Sequence, residues 1–212
     1  MAESQPEGDT EARILEAARR VFMLRGTAGA RMQEIAAEAG VNQALLHYYF
    51  RTKDRLAEAV FREAAGRLAP TVLRILGSDE PIEAKVEQFV QAYIDAVRRH
   101  PFIPGYILAE LHHHPERLAA MAEQAGGIPP AEIARALIGK LDVQLRTAAE
   151  AGALRPIAAA QFVVNLIALC VFPFAARPAL TIGLGMDDGA FDRFLDERRA
   201  SLPSFILSGL RP

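Results

Sequence analysis

One cysteine and no tryptophan occur in 212 residues. A single thiol, Cys170, cannot close a disulfide within the chain, so the fold is not stapled and a reducing, cytoplasmic setting is expected. Its apolar neighbours mark it as a buried small side chain rather than a redox centre. No alternating apolar–polar run of strand type occurs, and no internal repeat. A glycine-rich phosphate loop, a nucleophile elbow and a carboxylate pair set for acid–base work are all missing, which leaves an enzyme without support. No cofactor is implied. The opening MAESQPEGDTEA lacks the basic-then-apolar order of a secretory leader. Residues 1–9 are expected to form a disordered tail. Net charge is −2, so the whole chain has no strong pull on an anion or a cation.

That balance is uneven. Residues 10–55 hold eight Lys/Arg against five Asp/Glu. An anionic partner should therefore meet the N-terminal part. One run, Ile157 to Ala176, has no charge in twenty residues. It is long enough to span a bilayer. Gln161, Asn165 and Pro173 interrupt it, six residues are only alanine, and no basic loop or aromatic belt flanks it. A helix buried in a core and a subunit interface accounts for it better, so no membrane partner is expected.

Apolar spacing and punctuation predict helix throughout. Thr10 caps a first helix that Gly26 ends. Short helices follow over about 32–39 and 42–49, then longer ones over about 53–75 and 82–99. Pro115 splits two helices at about 102–114 and 116–125. Further helices run over about 131–151 and 157–176. A glycine-rich loop is expected over Pro178–Gly189, before a last helix over about 190–208. The fold class is all-α: a three-helix head over 10–54, then a larger helical bundle over 55–212.

Within the head, "MQEIAAEAGVNQALLHYYF" at 32–50 reads as a helix-turn-helix. Gly40 supplies the left-handed turn without a Cβ penalty. Ala36 is small where the two helices approach. At about 100° per residue, Leu45, Leu46, Tyr49 and Phe50 share one side of the third helix. Gln43, Ala44, His47 and Tyr48 share the other. The inner rings anchor a helix too short to be stable alone. The outer groups can reach bases or phosphates.

Three segments, "ILEAARRVFMLRG", "IAAEAGV" and "LLHYYFRTKDRL", make residues 10–56 resemble the DNA-binding domain of the TetR family of bacterial transcriptional regulators. The resemblance covers about a quarter of the chain. It implies a homodimer, an effector pocket in the C-terminal bundle, and release of a palindromic operator on effector binding. A repressor is the family's commoner mode. Gln43 then reads a base, and Ala44 can touch a thymine methyl. His47 and Tyr48 meet phosphates with some base reach. Asn42 caps the reading helix and lies at the same surface. Lys53 matches the family's phosphate-binding lysine, and Arg31 is placed for a second phosphate strand. The family's Tyr-His-Tyr-Phe reads His47-Tyr48-Tyr49-Phe50 here. Ala30-Arg31 stand where a hydroxyl residue usually caps the second helix.

The bundle shows no family motif. Apolar side chains with a few polar groups suit a hydrophobic small molecule. The pocket candidates are Phe89, Tyr93, Phe102, Tyr106, Leu141, Leu145, Phe162 and Asn165. The last two helices carry more apolar surface than one monomer buries and are assigned to the dimer. His112-His113-His114 do not suggest a metal, because adjacent helical residues point about 100° apart. A helical small-molecule-binding protein without DNA binding is the alternative function.

Overall fold

The computed structural model describes residues 7–124 and 127–212. The helices run α1 (Glu7–Gly29), α2 (Met32–Ala39), α3 (Gln43–Tyr49), α4 (Lys53–Leu76), α5 (Ile82–Arg99), α6 (Ile103–His113), α7 (Glu116–Gln124), α8 (Pro130–Glu150), α9 (Ala159–Ala175), α10 (Arg177–Leu184) and α11 (Asp188–Leu210). Among the described residues there is no strand. Two compact units divide the chain. One runs to Ala65 and takes in Tyr106–Arg117; the other is Gly66–Gly105 with Leu118–Pro212. The expected head over 10–54 lies inside the first unit, which is larger than that span.

In the first unit, α1 packs against α2, with Ile14, Ala17, Ala18 and Phe22 buried. The chain breaks its helical path at Gly26, where φ is 67° and ψ 161°, and a last turn follows. Tyr106 stacks on Phe22 at 6.4 Å, and its hydroxyl donates to the Ala57 carbonyl at 3.2 Å. Burial pushes that hydroxyl up to about 12, against the lowering influence of Arg117 and Thr27. Beside it, Glu110 accepts from Thr27 and pairs with Arg117, and both charged side chains are buried.

In the second unit, α5 packs against α9 and α11, and α8 against α9. The stripe Val86, Phe89, Val90, Tyr93 and Val97 is buried, as its 3.6-residue spacing requires. From α9 the inner stripe is Phe162, Leu166, Cys170 and Phe174. The Cys170 thiol is pushed up to about 12 by burial, which keeps it an inert hydrophobe. Arg198 of α11 donates to the Leu169 carbonyl at 2.7 Å and ties the two helices.

Lys85 is also inside. Its ammonium is 0% exposed and donates to the carbonyls of Leu76 (2.7 Å) and Ser78 (2.8 Å) and to Gln144 Oε1 (2.7 Å). Lys140 covers the remaining carbonyl, Gly77, at 2.6 Å. Two cations thus satisfy the C-terminal end of α4, where the helix dipole is negative.

Some expectations are corrected. Residues 7–9 of the expected tail are the first turn of α1, and 1–6 lie outside the described residues. Thr10 is inside that helix and buried rather than at its cap. The expected loop over Pro178–Gly189 is mostly α10, with Pro178 in the first turn and Gly185 closing it in the left-handed region. These residues are helix ends as readily as loop residues. The uncharged run is shortened to α9. No single helix among the described residues is long and apolar enough to cross a membrane; α9 and α10 pass that test only together, across a 68° bend.

Candidate nucleic-acid interface

Three contacts fix the reading helix. Gly40 closes α2 with φ 64° and ψ 34°, and the Val41 amide donates back to Ala36 O at 3.0 Å. Arg13 of α1 reaches across and donates to the Ala39 carbonyl at 2.8 Å and the Gly40 carbonyl at 3.3 Å. Asn42 then starts α3, its Oδ1 accepting from the Leu45 amide at 2.7 Å. Each satisfies a backbone group that a short helix otherwise leaves open. Sequence reasoning missed Arg13, since an arginine on an exposed stretch of α1 carries no signal that it clamps a distant turn.

The seven residues of α3 bury Leu46 completely and use Phe50 as the other anchor. Tyr49 is half-buried. Leu45, expected on the inner side, is 36% exposed. The inner face of so short a helix is narrow, and Leu45 falls at its edge. Gln43, Ala44 and His47 are exposed, and Tyr48 is 73% exposed, its ring edge-on to Tyr49 at 5.5 Å. His47 Nδ1 donates to the Arg51 carbonyl at 3.2 Å, which leaves Nε2 without a partner among the described residues.

The cations around this helix fall into two groups. Arg20 pairs with Glu38 (2.7 Å) and Arg25 with Glu34 (3.3 Å), so these arginines hold α1 to α2. Arg31 and Arg51 are exposed and have no ion-pair partner among the described residues. Arg31 precedes α2 and makes no side-chain cap. Lys53 stands between the two groups. Its ammonium donates to the carbonyls of Ala28 (2.8 Å) and Ala30 (3.1 Å), leaving one of its three protons uncommitted. It therefore anchors the start of α4 to the strap ahead of α2. Thr52 caps α4 by accepting from the Arg55 amide at 3.2 Å, another contact the sequence did not announce.

The pocket candidates do not gather at one place. Phe89, Tyr93, Leu141, Leu145 and Phe162 are buried in the core of the second unit. Phe89 and Tyr93 stack at 5.7 Å and border a cavity of about 10 Å³. Phe102 is half-buried, edge-on to His100 at 6.3 Å. Tyr106 is a core residue of the other unit. Asn165 is exposed, about 60° round the helix from Phe162 on the side away from the rest of the inner stripe of α9. His112 and His113 meet edge-on at 5.0 Å, and His114 Nδ1 lies 3.1 Å from Glu116. Among the described residues no group of three or more His, Cys, Asp or Glu is placed to hold a metal ion.

A short helix presented on a helix-turn-helix, with polar side chains outward and guanidinium groups beside it, defines a DNA-binding regulator. The family model described as bacterial regulatory proteins, tetR family, matches residues 14–60. The HTH-type transcriptional repressor SCO4008 of Streptomyces coelicolor is 34% identical over 137 residues, spanning 60% of this chain and 67% of that protein. The HTH-type transcriptional regulator BetI of Rhizobium meliloti is 30% identical over 103 residues, spanning 49% of each. The chain belongs to the TetR family of bacterial transcriptional regulators. Solved structures extend the fold to nearly the whole length. HlyIIR, a hemolysin II transcriptional regulator, gives a TM-score of 0.58 at 20% identity, covering 98% of this chain and 99% of that one. The fatty acid degradation regulator FadR of Bacillus halodurans gives 0.59 at 17% identity, covering 96% and 97%. At these identities the likeness is one of fold alone.

Proposed function

We propose that the chain is a cytoplasmic, homodimeric repressor that holds a palindromic operator and releases it when a small hydrophobic effector binds its bundle. The observation that carries the DNA contacts is the outward set on α3, Gln43, Ala44, His47 and Tyr48, flanked by the open guanidinium groups of Arg31 and Arg51. Gln43 reads a base edge and Ala44 allows close approach to the groove floor. His47, Tyr48, Arg31, Arg51 and the spare proton of Lys53 meet phosphates. Asn42 holds the helix end through its oxygen, which is committed to the cap, and turns its Nδ2 amide to the DNA.

The dimer rests on α9 and α11. Together they leave Val164, Phe172 and Phe205 exposed, an apolar surface that a second copy would cover. Two-fold pairing would set the reading helices about one DNA turn apart, roughly 34–36 Å. The effector acts by binding one of two states better than the other.

The test is operator affinity across salt concentrations. Gln43→Ala should weaken specific binding by about 1–3 kcal/mol and relax preference at one base position. Arg31→Ala and Arg51→Ala should weaken binding to all sequences and lower the salt slope by about one each. Unchanged affinity in all three variants would refute the assignment.

A further inference from the structure

Thr27 to Ala30 form the strap that delivers Arg31 to the surface ahead of α2. The strap starts at Gly26, whose φ of 67° with ψ of 161° is open to glycine and to almost nothing else. A Cβ there would meet no atom within 4 Å, so glycine serves the turn and not a close approach. A chain leaving such a pivot keeps one direction only where something holds it. Lys53 holds the Ala28 and Ala30 carbonyls, but through a single ammonium on a flexible stem. Of the strap side chains, only that of Thr27 can hydrogen-bond. Its hydroxyl donates to Glu110 of α6.

Glu110 is 4% exposed, and its other oxygen pairs with Arg117, 6% exposed, in the first turn of α7. Thr27 and Arg117 also face the Tyr106 hydroxyl. Burying two charges costs desolvation that their attraction barely returns, and apolar chains of similar size would pack as well. Packing alone therefore does not account for the pair, since α6 already meets α1 through the stack of Tyr106 on Phe22. A carboxylate adds a directional acceptor for Thr27. The guanidinium adds a second bond that fixes where this acceptor stands.

We infer that Glu110 is a positioning residue for DNA binding: held by Arg117, it ties Thr27 and so fixes the strap that sets Arg31 against a phosphate. The inference rests on the reading of Arg31 as a phosphate contact and adds the buried residues that hold it there. Arg31 is exposed and its backbone is extended, so nothing in its own side chain's surroundings aims it. Its direction comes from the strap, and the strap's from the tie at Thr27.

The test is the affinity of the full-length protein for a mixed-sequence DNA duplex, read by fluorescence anisotropy across salt concentrations, since a phosphate contact carries no sequence information. Thr27→Val keeps the side chain's shape and removes the tie. It should weaken binding about three- to ten-fold and lower the salt slope by about one, as Arg31→Ala does. Thr27→Ser, which restores the hydroxyl, should bind as the parent does. Glu110→Gln alone would leave Arg117 a buried charge without its counter-charge, so both are replaced, by Glu110→Leu with Arg117→Met. This pair should melt near the parent and reproduce the loss seen in Thr27→Val. Thr27→Val added to Arg31→Ala should cost nothing further, because the contact it positions is already gone. Parent affinity and slope in either untied variant would overturn the inference. So would a loss of the same size with and without Arg31, which marks a general effect on the fold. If Arg31→Ala itself leaves affinity and slope unchanged, the phosphate contact beneath the inference fails and the inference falls with it.

Discussion

Replacing Lys85 by methionine tests whether a buried ammonium stabilises this bundle or burdens it. Two effects oppose each other. Taking an ammonium out of water costs several kcal/mol. Burial is accordingly the largest influence on Lys85 and depresses its pKa, with Lys140 acting in the same direction and Asp79 against it. Three charge-assisted hydrogen bonds repay that cost, to Leu76 O, Ser78 O and Gln144 Oε1, at roughly 1.5–3 kcal/mol each. Methionine keeps the apolar stem but strands the buried Leu76 carbonyl and unpairs the half-buried Ser78 carbonyl and Gln144 Oε1, at about 1–3 kcal/mol for each acceptor left dry, while recovering the desolvation. The net loss should be about 3 kcal/mol, read from urea unfolding followed by circular dichroism. Lys140→Met is the control. Its ammonium meets Gly77 O and Asp79, and Asp79 is 96% exposed, so the loss should stay below about 1 kcal/mol. Gln144→Leu added to Lys85→Met should restore part of the loss by removing one stranded acceptor. A Lys85→Met variant as stable as the parent would refute the reasoning, because desolvation would then outweigh the three bonds.

Two other outcomes follow from particular residues. Gly40→Ala forces a Cβ into the left-handed region and places it 3.4 Å from Arg13 Nη2; it should cost about 1–2 kcal/mol, measured by thermal melting. Alkaline pH should destabilise the fold. Cys170 and Tyr106 hold their protons to about pH 12 when folded, against ordinary values of 9.0 and 10.0. Between these limits the unfolded chain has released protons that the folded chain keeps, so each group removes about 1.4 kcal/mol per pH unit. Lys85 works in the opposite sense, since its depressed pKa leaves more protons on the unfolded chain. Stability of Cys170→Ala should therefore fall less steeply than that of the parent from pH 9 upward; identical slopes would contradict the burial of that thiol.

The helix-turn-helix was legible because its punctuation is chemical. Gly40, Asn42 and the buried Ile35, Ala36 and Leu46 each answer a local demand, and the bounds of α2 and the capping by Asn42 follow from them. The bundle was legible as a set of amphipathic stripes, and α5 runs as its spacing predicts. What was not legible depends on distant partners. Lys85 lies on the apolar stripe between Ile82 and Phe89, which is the one sign that its head is inside; the carbonyls it meets lie at the last residue of α4 and just past it. Asn165 and Phe162 differ by three positions, yet only the packing of α9 against α5 and α8 decides which faces inward. Tyr106 was grouped with Phe89 because both are aromatic residues of the bundle region, whereas it stacks on Phe22. The α10 segment was obscured by Pro178, Gly183 and Gly185, which punctuate a short helix and a loop alike.

The most direct measurement is selection of the full-length protein on random double-stranded DNA, with the bound fraction sequenced after each round. A DNA-reading dimer predicts a palindrome whose half-sites lie about one helical turn apart, and Gln43→Ala should relax one base position in each half. A folded protein that enriches no sequence, or one whose enriched motif is indifferent to every substitution on the outer face of α3, would contradict the account.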